Sequence, residues 1–295
     1  MYHSIVLVKQ VPDTANITGN VMQDDGTVNR AKLPAILNHE DRVALEIALR
    51  VKDQYGGTIS VVTMGPPRAS DILRECLYMG ADHAYLVSDR KFAGADTLAT
   101  SYVLSEAIKK IGDYDFIFAG RQAIDGDTAQ VGPQTAEKLR IPQITYLEEI
   151  LSVKDRVLTA KKKIEGGYEI VRSPLPVLLT VLKDAAEPRP FKAKRVMTFK
   201  GARTLMEIEK LTEGNPLLYV DTLVHDFESR SLFIGTLTMD DLKLETDRCG
   251  IHGSPTKVYK VESVVLGGGA HTTVEPTKDG IGKLIDKLLE DHILG

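Results

Sequence analysis

Four short apolar runs punctuate the first 140 residues, and stretches of helical periodicity separate them. Ser4 to Lys9, Thr58 to Thr63, Ala84 to Val87 and Phe116 to Phe118 are rich in branched and aromatic residues. Their near-continuous apolar character suits strands buried on both faces. Between the first two, Val43, Ala44, Ile47, Ala48 and Val51 recur at helical spacing, with Asn38 as a candidate N-cap and Glu40 and Asp41 in the first turn. Ser70 opens a second helix with Ile72, Leu73, Cys76 and Leu77 inward, stopped by Gly80. A third helix carries Leu98, Tyr102, Leu104, Ala107 and Ile108 through Ile111, and a fourth includes Thr135 to Leu139. This alternation predicts a doubly wound, mostly parallel α/β sheet with helices on both faces. Asp24-Asp25-Gly26, between short β-prone pairs, predicts a hairpin.

After Pro142 the period changes. Residues 146–153, 156–164, 168–172 and 177–182 read as successive strands of an antiparallel meander, with turns at Lys154-Asp155 and Glu165-Gly166-Gly167. Residues 183–212 are basic and interrupted by proline, the pattern of an exposed arm. Residues 213–275 have no clear period; Gly253-Ser254-Pro255-Thr256 and Gly267-Gly268-Gly269 read as loops. A final helix is expected, capped by Asp279, with Ile281, Leu284, Ile285, Leu288 and Leu289 on one face. The organisation expected is therefore a nucleotide-binding α/β domain over residues 1–185, meander included, and a C-terminal arm over 186–295.

Composition narrows the partners. There are 37 basic and 41 acidic residues, a net charge of −4, which gives no support to nucleic acid or an anionic membrane. No apolar run approaches the roughly 20 residues of a membrane span. The start MYHSIVLVKQ lacks the basic segment and cleavage site of a secretory signal. The chain has two cysteines and no Cys-x-x-Cys pair, so no zinc site and a reducing cytoplasm are expected.

The chemistry gathers at Ala119 to Gln134, AGRQAIDGDTAQVGPQ, between the fourth strand and the fourth helix. Open α/β sheets bind ligands at such junctions, and a helix start offers unpaired N–H groups to a phosphate. Asp127 or Thr128 is alternatively a plain helix cap. All the strand-to-helix turns emerge on one edge, so Lys9, Asn38, Thr63, Asp96 and Asp127 can meet there. Asp125 and Asp127 read as ribose or cap partners rather than an acid–base pair. No histidine stands beside a nucleophile turn. These features point to a binding or carrier protein whose chemistry comes from a cofactor.

Residues 160–171, AKKKIEGGYEIV, followed by Pro176-Val177-Leu178-Leu179-Thr180, resemble the signature of the electron-transferring flavoprotein beta subunit. The early VKQVPD, the Asn38 and Asp41 segment and GRQAIDGDTAQVGP match the same family in order. His39 departs from it, standing where the family usually has proline, and the region around 205–235 is longer than expected. The resemblance implies a Rossmann-like fold of the adenine nucleotide alpha hydrolase type. It implies a heterodimer with a larger alpha subunit, which shares an FAD with this chain, and a second adenine nucleotide held here. The cofactor contacts it implies are Val8, Lys9, Asn38, Asp41, Thr63, Asp96, Thr97, Thr100, Arg121, Gln122, Asp125, Gly126, Asp127, Thr128, Ala129, Gln130 and Val131. Within this set the N–H groups of Asp127 to Val131 and the Thr128 side chain are expected to hold phosphate.

In ordinary family members the second nucleotide is AMP; in electron-bifurcating members it is FAD. Residues 88–102 and 126–130 resemble the bifurcating type, and Gly94, Ala95, Ala99 and Gly126 are small enough to leave room for a flavin ring. That type takes a hydride from NADH and sends electrons to the alpha-subunit FAD, with its acyl-CoA dehydrogenase-type partner, and to ferredoxin or flavodoxin. Arg121, close to the expected site, would then favour an anionic flavin by its charge, or is equally a surface arginine. The resemblance also implies that the segment after Glu187-Pro188-Arg189 docks the dehydrogenase, with Phe191, Val196 and Met197 as anchors. A non-redox adenine-nucleotide module remains the alternative reading.

Overall fold

The computed structural model describes residues 1–13, 34–213, 219–256 and 273–291. The hairpin expected at residues 24–26 and the loop at 267–269 lie outside them. In chain order the strands and helices begin with β1 (Tyr2–Leu7), β2 (Gln10–Pro12), β3 (Ala35–Leu37), α1 (His39–Tyr55), β4 (Gly57–Met64), α2 (Ser70–Met79) and β5 (His83–Val87). They continue with α3 (Thr97–Ile111), β6 (Phe116–Gly120), α4 (Val131–Leu139), β7 (Gln143–Lys154), β8 (Val157–Ile164), β9 (Gly167–Pro174) and β10 (Val177–Val181). The last are α5 (Ala193–Phe199), β11 (Arg203–Thr204), α6 (Leu205–Thr212), α7 (Val220–Ser229), β12 (Phe233–Leu237), α8 (Met239–Leu242) and α9 (Lys278–Glu290).

Ten strands form one sheet in the order β11-β12-β5-β4-β1-β6-β10-β7-β8-β9. It is parallel from β11 to β7 and antiparallel from β7 to β9. The central strands are apolar on both sides because each face meets helices. Val6, Val61, Phe116 and Phe118 pack with α1 and α2, while Ile5, Leu7 and Ile117 pack with α3 and α4. Burying each such side chain is worth about 1.5–3 kcal/mol. From β1 the chain winds outward through β4 and β5, then returns to place β6 on the other flank of β1. The loops after β1 and β6 therefore part in opposite directions and leave a crevice between them.

Three expectations change. Residues 177–182 are not a fourth meander strand: β10 inserts between β6 and β7, parallel to both. All five of its residues are buried, as a central strand requires and a half-exposed meander strand does not. The sheet also continues past residue 185, since β12 pairs with β5 and β11 with β12; these two strands bracket the longer region around 205–235, whose described residues include α6 and α7. Finally, α9 is capped by Thr277, whose hydroxyl accepts from Gly280 N, rather than by Asp279.

The basic stretch after residue 183 is tied to the core. Arg189 bridges Glu46 and Asp53 of α1. Burial opposes the charge of Glu46, yet hydrogen bonds from Arg189 and Arg50 hold its carboxyl below the usual carboxylate range. Arg195 Nε donates to Leu77 O at 2.6 Å and its Nη2 donates to Ala81 O, at the end of α2 where carbonyls lack helical partners.

Candidate functional site

The start of α1 clips the two sides of the crevice together. Asp41 is buried, and its Oδ2 accepts from Lys9 N at 2.8 Å while Oδ1 accepts from Gly120 N at 3.0 Å. One carboxylate thus joins the ends of β1 and β6. Gly120 is required there, because a Cβ would stand 2.4 Å from Asp41 Oδ1. Burial pushes the Asp41 carboxyl up to about 7, against hydrogen bonds from Asn38, Lys9 and Gly120, with the Glu40 charge adding to the rise. Asn38, fully buried, donates from Nδ2 to Gln122 O at 2.9 Å and accepts at Oδ1 from Ile124 N at 3.3 Å. Glu40 accepts from Gln122 N at 2.9 Å and from Arg121 Nη2 at 3.0 Å.

Beyond this clip the chain from 121 to 130 is a shaped loop. Asp127 and Ala129 have φ of 48° and 53°, in the left-handed region that non-glycine residues rarely enter. Alternating backbone hands turn successive N–H groups inward to make an anion-binding concavity. The N–H groups of Thr128, Ala129, Gln130 and Val131 have no acceptor among the described residues. They lie where α4 begins, at the positive end of its dipole. The N-cap is Gln130, without a side-chain cap bond, so neither Asp127 nor Thr128 serves as the plain helix cap.

Side chains brace the loop from the end of β1, from the start of α3 and from within the loop itself. Lys9 Nζ meets Asp125 at 2.7 Å, Gln122 Nε2 donates to Asp127 at 2.9 Å, and Thr97 Oγ1 donates to Gln130 Oε1 at 2.9 Å. Asp96 caps α3 by accepting from Leu98 N and Ala99 N, and its Oδ2 accepts from Thr256 N and Oγ1. Burial works against its charge, but these hydrogen bonds prevail and hold its carboxyl below the usual range. Ser254 Oγ accepts from Asp96 N at 2.8 Å. Thr63 is buried in β4 beside β1, with its Oγ1 unpartnered. Val8 is buried in the core at the end of β1. Thr100 is half-buried in the first turn of α3 and makes no side-chain hydrogen bond to the loop.

Of the small residues, Gly126 faces open space, whereas a Cβ on Gly94 would meet Ile251 at 3.3 Å and Ala99 is buried inside α3. On the arm, Phe191 packs edge-on to Tyr78 with Arg42 over its ring, Val196 is half-buried, and Met197 is 66% exposed. Glu40, Ser254 and Thr256 are the contributors that the sequence reading did not select. Glu40 looked like an ordinary first-turn acid, and the other two sit far away in a loop.

Among the described residues, no cluster of His, Cys, Asp and Glu is arranged to hold a metal, and no helix is long and apolar enough to cross a membrane. Residues 25–204 match the electron transfer flavoprotein domain family. The electron transfer flavoprotein subunit beta of Clostridium acetobutylicum is 41% identical over 290 residues, covering 98% of this chain and 99% of the relative. This chain belongs to the electron transfer flavoprotein beta-subunit family. Membership implies an alpha-subunit partner. The caffeyl-CoA reductase-Etf complex subunit CarD of Acetobacterium woodii is 41% identical over 292 residues, covering 98% and 99% of the two chains. Protein FixA of Rhizobium meliloti is 48% identical over 293 residues, covering 97% of this chain and 90% of its own.

Proposed function

We propose that this beta subunit holds an adenine dinucleotide, FAD, in the crevice between β1 and β6. The observation that carries this is the run of four N–H groups from Thr128 to Val131 that have no acceptor among the described residues, with Asp127 and Ala129 in the left-handed region. The residues suit the group: the loop supplies donors for a pyrophosphate, and the unpartnered Thr63 hydroxyl has hydrogen-bonding capacity to spare beside β1. In this reading Thr128 adds a hydroxyl to the phosphate, while Lys9, Asn38, Asp41, Asp96 and Gln122 hold the walls. Thr97, Thr100, Asp125, Gly126 and Gln130 line the approach, and Val8 supports it from the core.

When bound, the flavin supplies two-electron acceptance from NADH and one-electron transfer onward, to the alpha-subunit FAD and to ferredoxin or flavodoxin. The name of CarD, a subunit of a caffeyl-CoA reductase complex, supports coupling to an acyl-CoA dehydrogenase-type flavoenzyme. Met197 and its basic neighbours on the arm form the docking surface in this reading, with Phe191 and Val196 behind them. Cys76 and Cys249 are both free and buried, which fits a cytoplasmic protein.

A second reading, AMP in the same crevice, is favoured by the packing at Gly94, where a Cβ would meet Ile251 at 3.3 Å, and by Ala99, which is buried. Quantifying the nucleotides released from the denatured heterodimer separates the two. Two FAD and no AMP per heterodimer support bifurcation. One FAD and one AMP overturn it and leave a carrier with a structural nucleotide.

A further inference from the structure

The loop that offers its N–H groups to phosphate receives two cations from neighbouring positions, and each already has a carboxylate. Lys9 Nζ is 2.7 Å from Asp125, and Arg121 Nη2 is 3.0 Å from Glu40. The second pair is the less expected, because its acid is buried: the Glu40 side chain is 7% exposed and that of Arg121 30%. Burying a carboxylate is costly unless a cation and hydrogen bonds compensate it. Glu40 has both, since its other bond is to Gln122 N at 2.9 Å. Arg121 is also held by its backbone, through its N–H to Val181 O of β10 at 2.9 Å. The guanidinium opens on a cleft of about 470 Å³ that Lys161, Lys163 and Lys183 also line. Glu40 is the strongest influence on its protonation, and Asp127 of the phosphate loop is within its electrostatic reach.

We propose that Glu40 is a specificity-determining positioning residue, which fixes the entry of the 121–131 loop and cancels the charge of Arg121, so that the site disfavours nucleoside triphosphates. The inference rests on reading that loop as the phosphate site. With both nearby cations neutralised, recognition falls on backbone N–H groups and the α4 dipole. Those donors suit a monophosphate or the diester pyrophosphate of a dinucleotide. A triphosphate brings extra charge, and the two cations bound to the loop, Lys9 and Arg121, are already paired with Asp125 and Glu40.

The test uses the heterodimer depleted of its beta-site nucleotide and titrated calorimetrically with AMP, ADP and ATP. Glu40→Gln retains an oxygen for Gln122 N but removes the charge. It is expected to raise ATP affinity about twofold to fivefold, as for one partly exposed charge, and AMP affinity less. Glu40→Ala frees Arg121 as well but leaves Gln122 N without its acceptor, so it is expected to weaken all three ligands while still raising ATP affinity relative to AMP. Glu40→Gln combined with Arg121→Gln should restore the wild-type ratio of ATP to AMP affinity. If both Glu40 variants weaken all ligands equally, Glu40 only supports the loop and the proposal is overturned. Should Glu40→Gln fail to assemble, Arg121→Gln alone decides: it leaves the acid uncompensated and must lower ATP affinity relative to AMP, and an unchanged ratio overturns the proposal. Thr128→Val is the control for the site itself. If it leaves all three affinities unchanged, the phosphate loop has been misplaced, whatever Glu40 does.

Discussion

The start of α1 and the whole of α9 make opposite use of their side chains. At α1, Asn38, Glu40 and Asp41 are buried, and all three accept hydrogen bonds from the backbone N–H groups of other elements. In α9 no residue is buried, and Ile281, Leu284, Ile285 and Leu289 stay 42–50% exposed on an amphipathic helix. The first region is complete within this chain and holds a site in shape. The second leaves an apolar stripe open, the form expected of a segment that contacts another subunit.

The widest separation of the two regions should come from equivalent truncations. Phe118→Ala, inside the sheet that carries the crevice, should cost about 3–5 kcal/mol in chemical denaturation of the chain. A cost near that of a surface truncation would deny the sheet its role as the rigid floor.

The clip should also impose a pH signature that α9 lacks. The Asp41 carboxyl moves from an ordinary 3.8 to about 7 on folding. As pH rises from about 4, the unfolded chain gives up this proton first, so the group's contribution to stability falls until pH exceeds about 7. Wild type should therefore lose stability relative to Asp41→Asn across that window. Parallel stability curves for the two proteins would show that Asp41 ionises freely in the folded chain.

Smaller again is the effect of Thr128→Val on ligand retention. Loss of one hydrogen bond to a charged phosphate, about 1.5–3 kcal/mol, should weaken nucleotide binding by more than tenfold without lowering the stability of the ligand-free protein. Unchanged retention in equilibrium dialysis would remove Thr128 from the site. The smallest expected effect on the chain alone is that of Leu284→Ala in α9, within about 0.5 kcal/mol, typical of a surface position. Sedimentation of the mixed subunits should instead show weaker association with the alpha subunit. Equal association would leave the exposed stripe without that partner.

Alternation of strand and helix up to residue 140 was legible because buried parallel strands write near-continuous apolar runs such as Ser4 to Lys9. The 121–130 loop was legible from its position between an apolar strand and a helix start. β10 was misread because Val177 to Val181 follows three meander strands in sequence, and only pairing with β6 reveals its place. β12 escaped because a five-residue strand between polar helices has too few positions to display a period. Glu40 escaped for a different reason. A first-turn acid is explained by the helix dipole alone, and its bond to Arg121 spans 81 positions of sequence. Asp96 was selected, but its contact with Thr256 depends on a loop 160 residues away.

The insertion of β10 between β6 and β7 also sets an order of events during synthesis. By the time residues 177–181 emerge, both flanking strands have already been made, and a gap one strand wide must be kept open between them. Long-range parallel pairing of this kind is slow, because the loop must close before the contacts are gained. Arg121 N, at the entry of the 121–130 loop, donates to Val181 O, the last residue of that inserted strand. A nascent chain shorter than 181 residues therefore lacks the anchor, and the 121–130 loop should take its shape on the ribosome only after Val181 has cleared the exit tunnel.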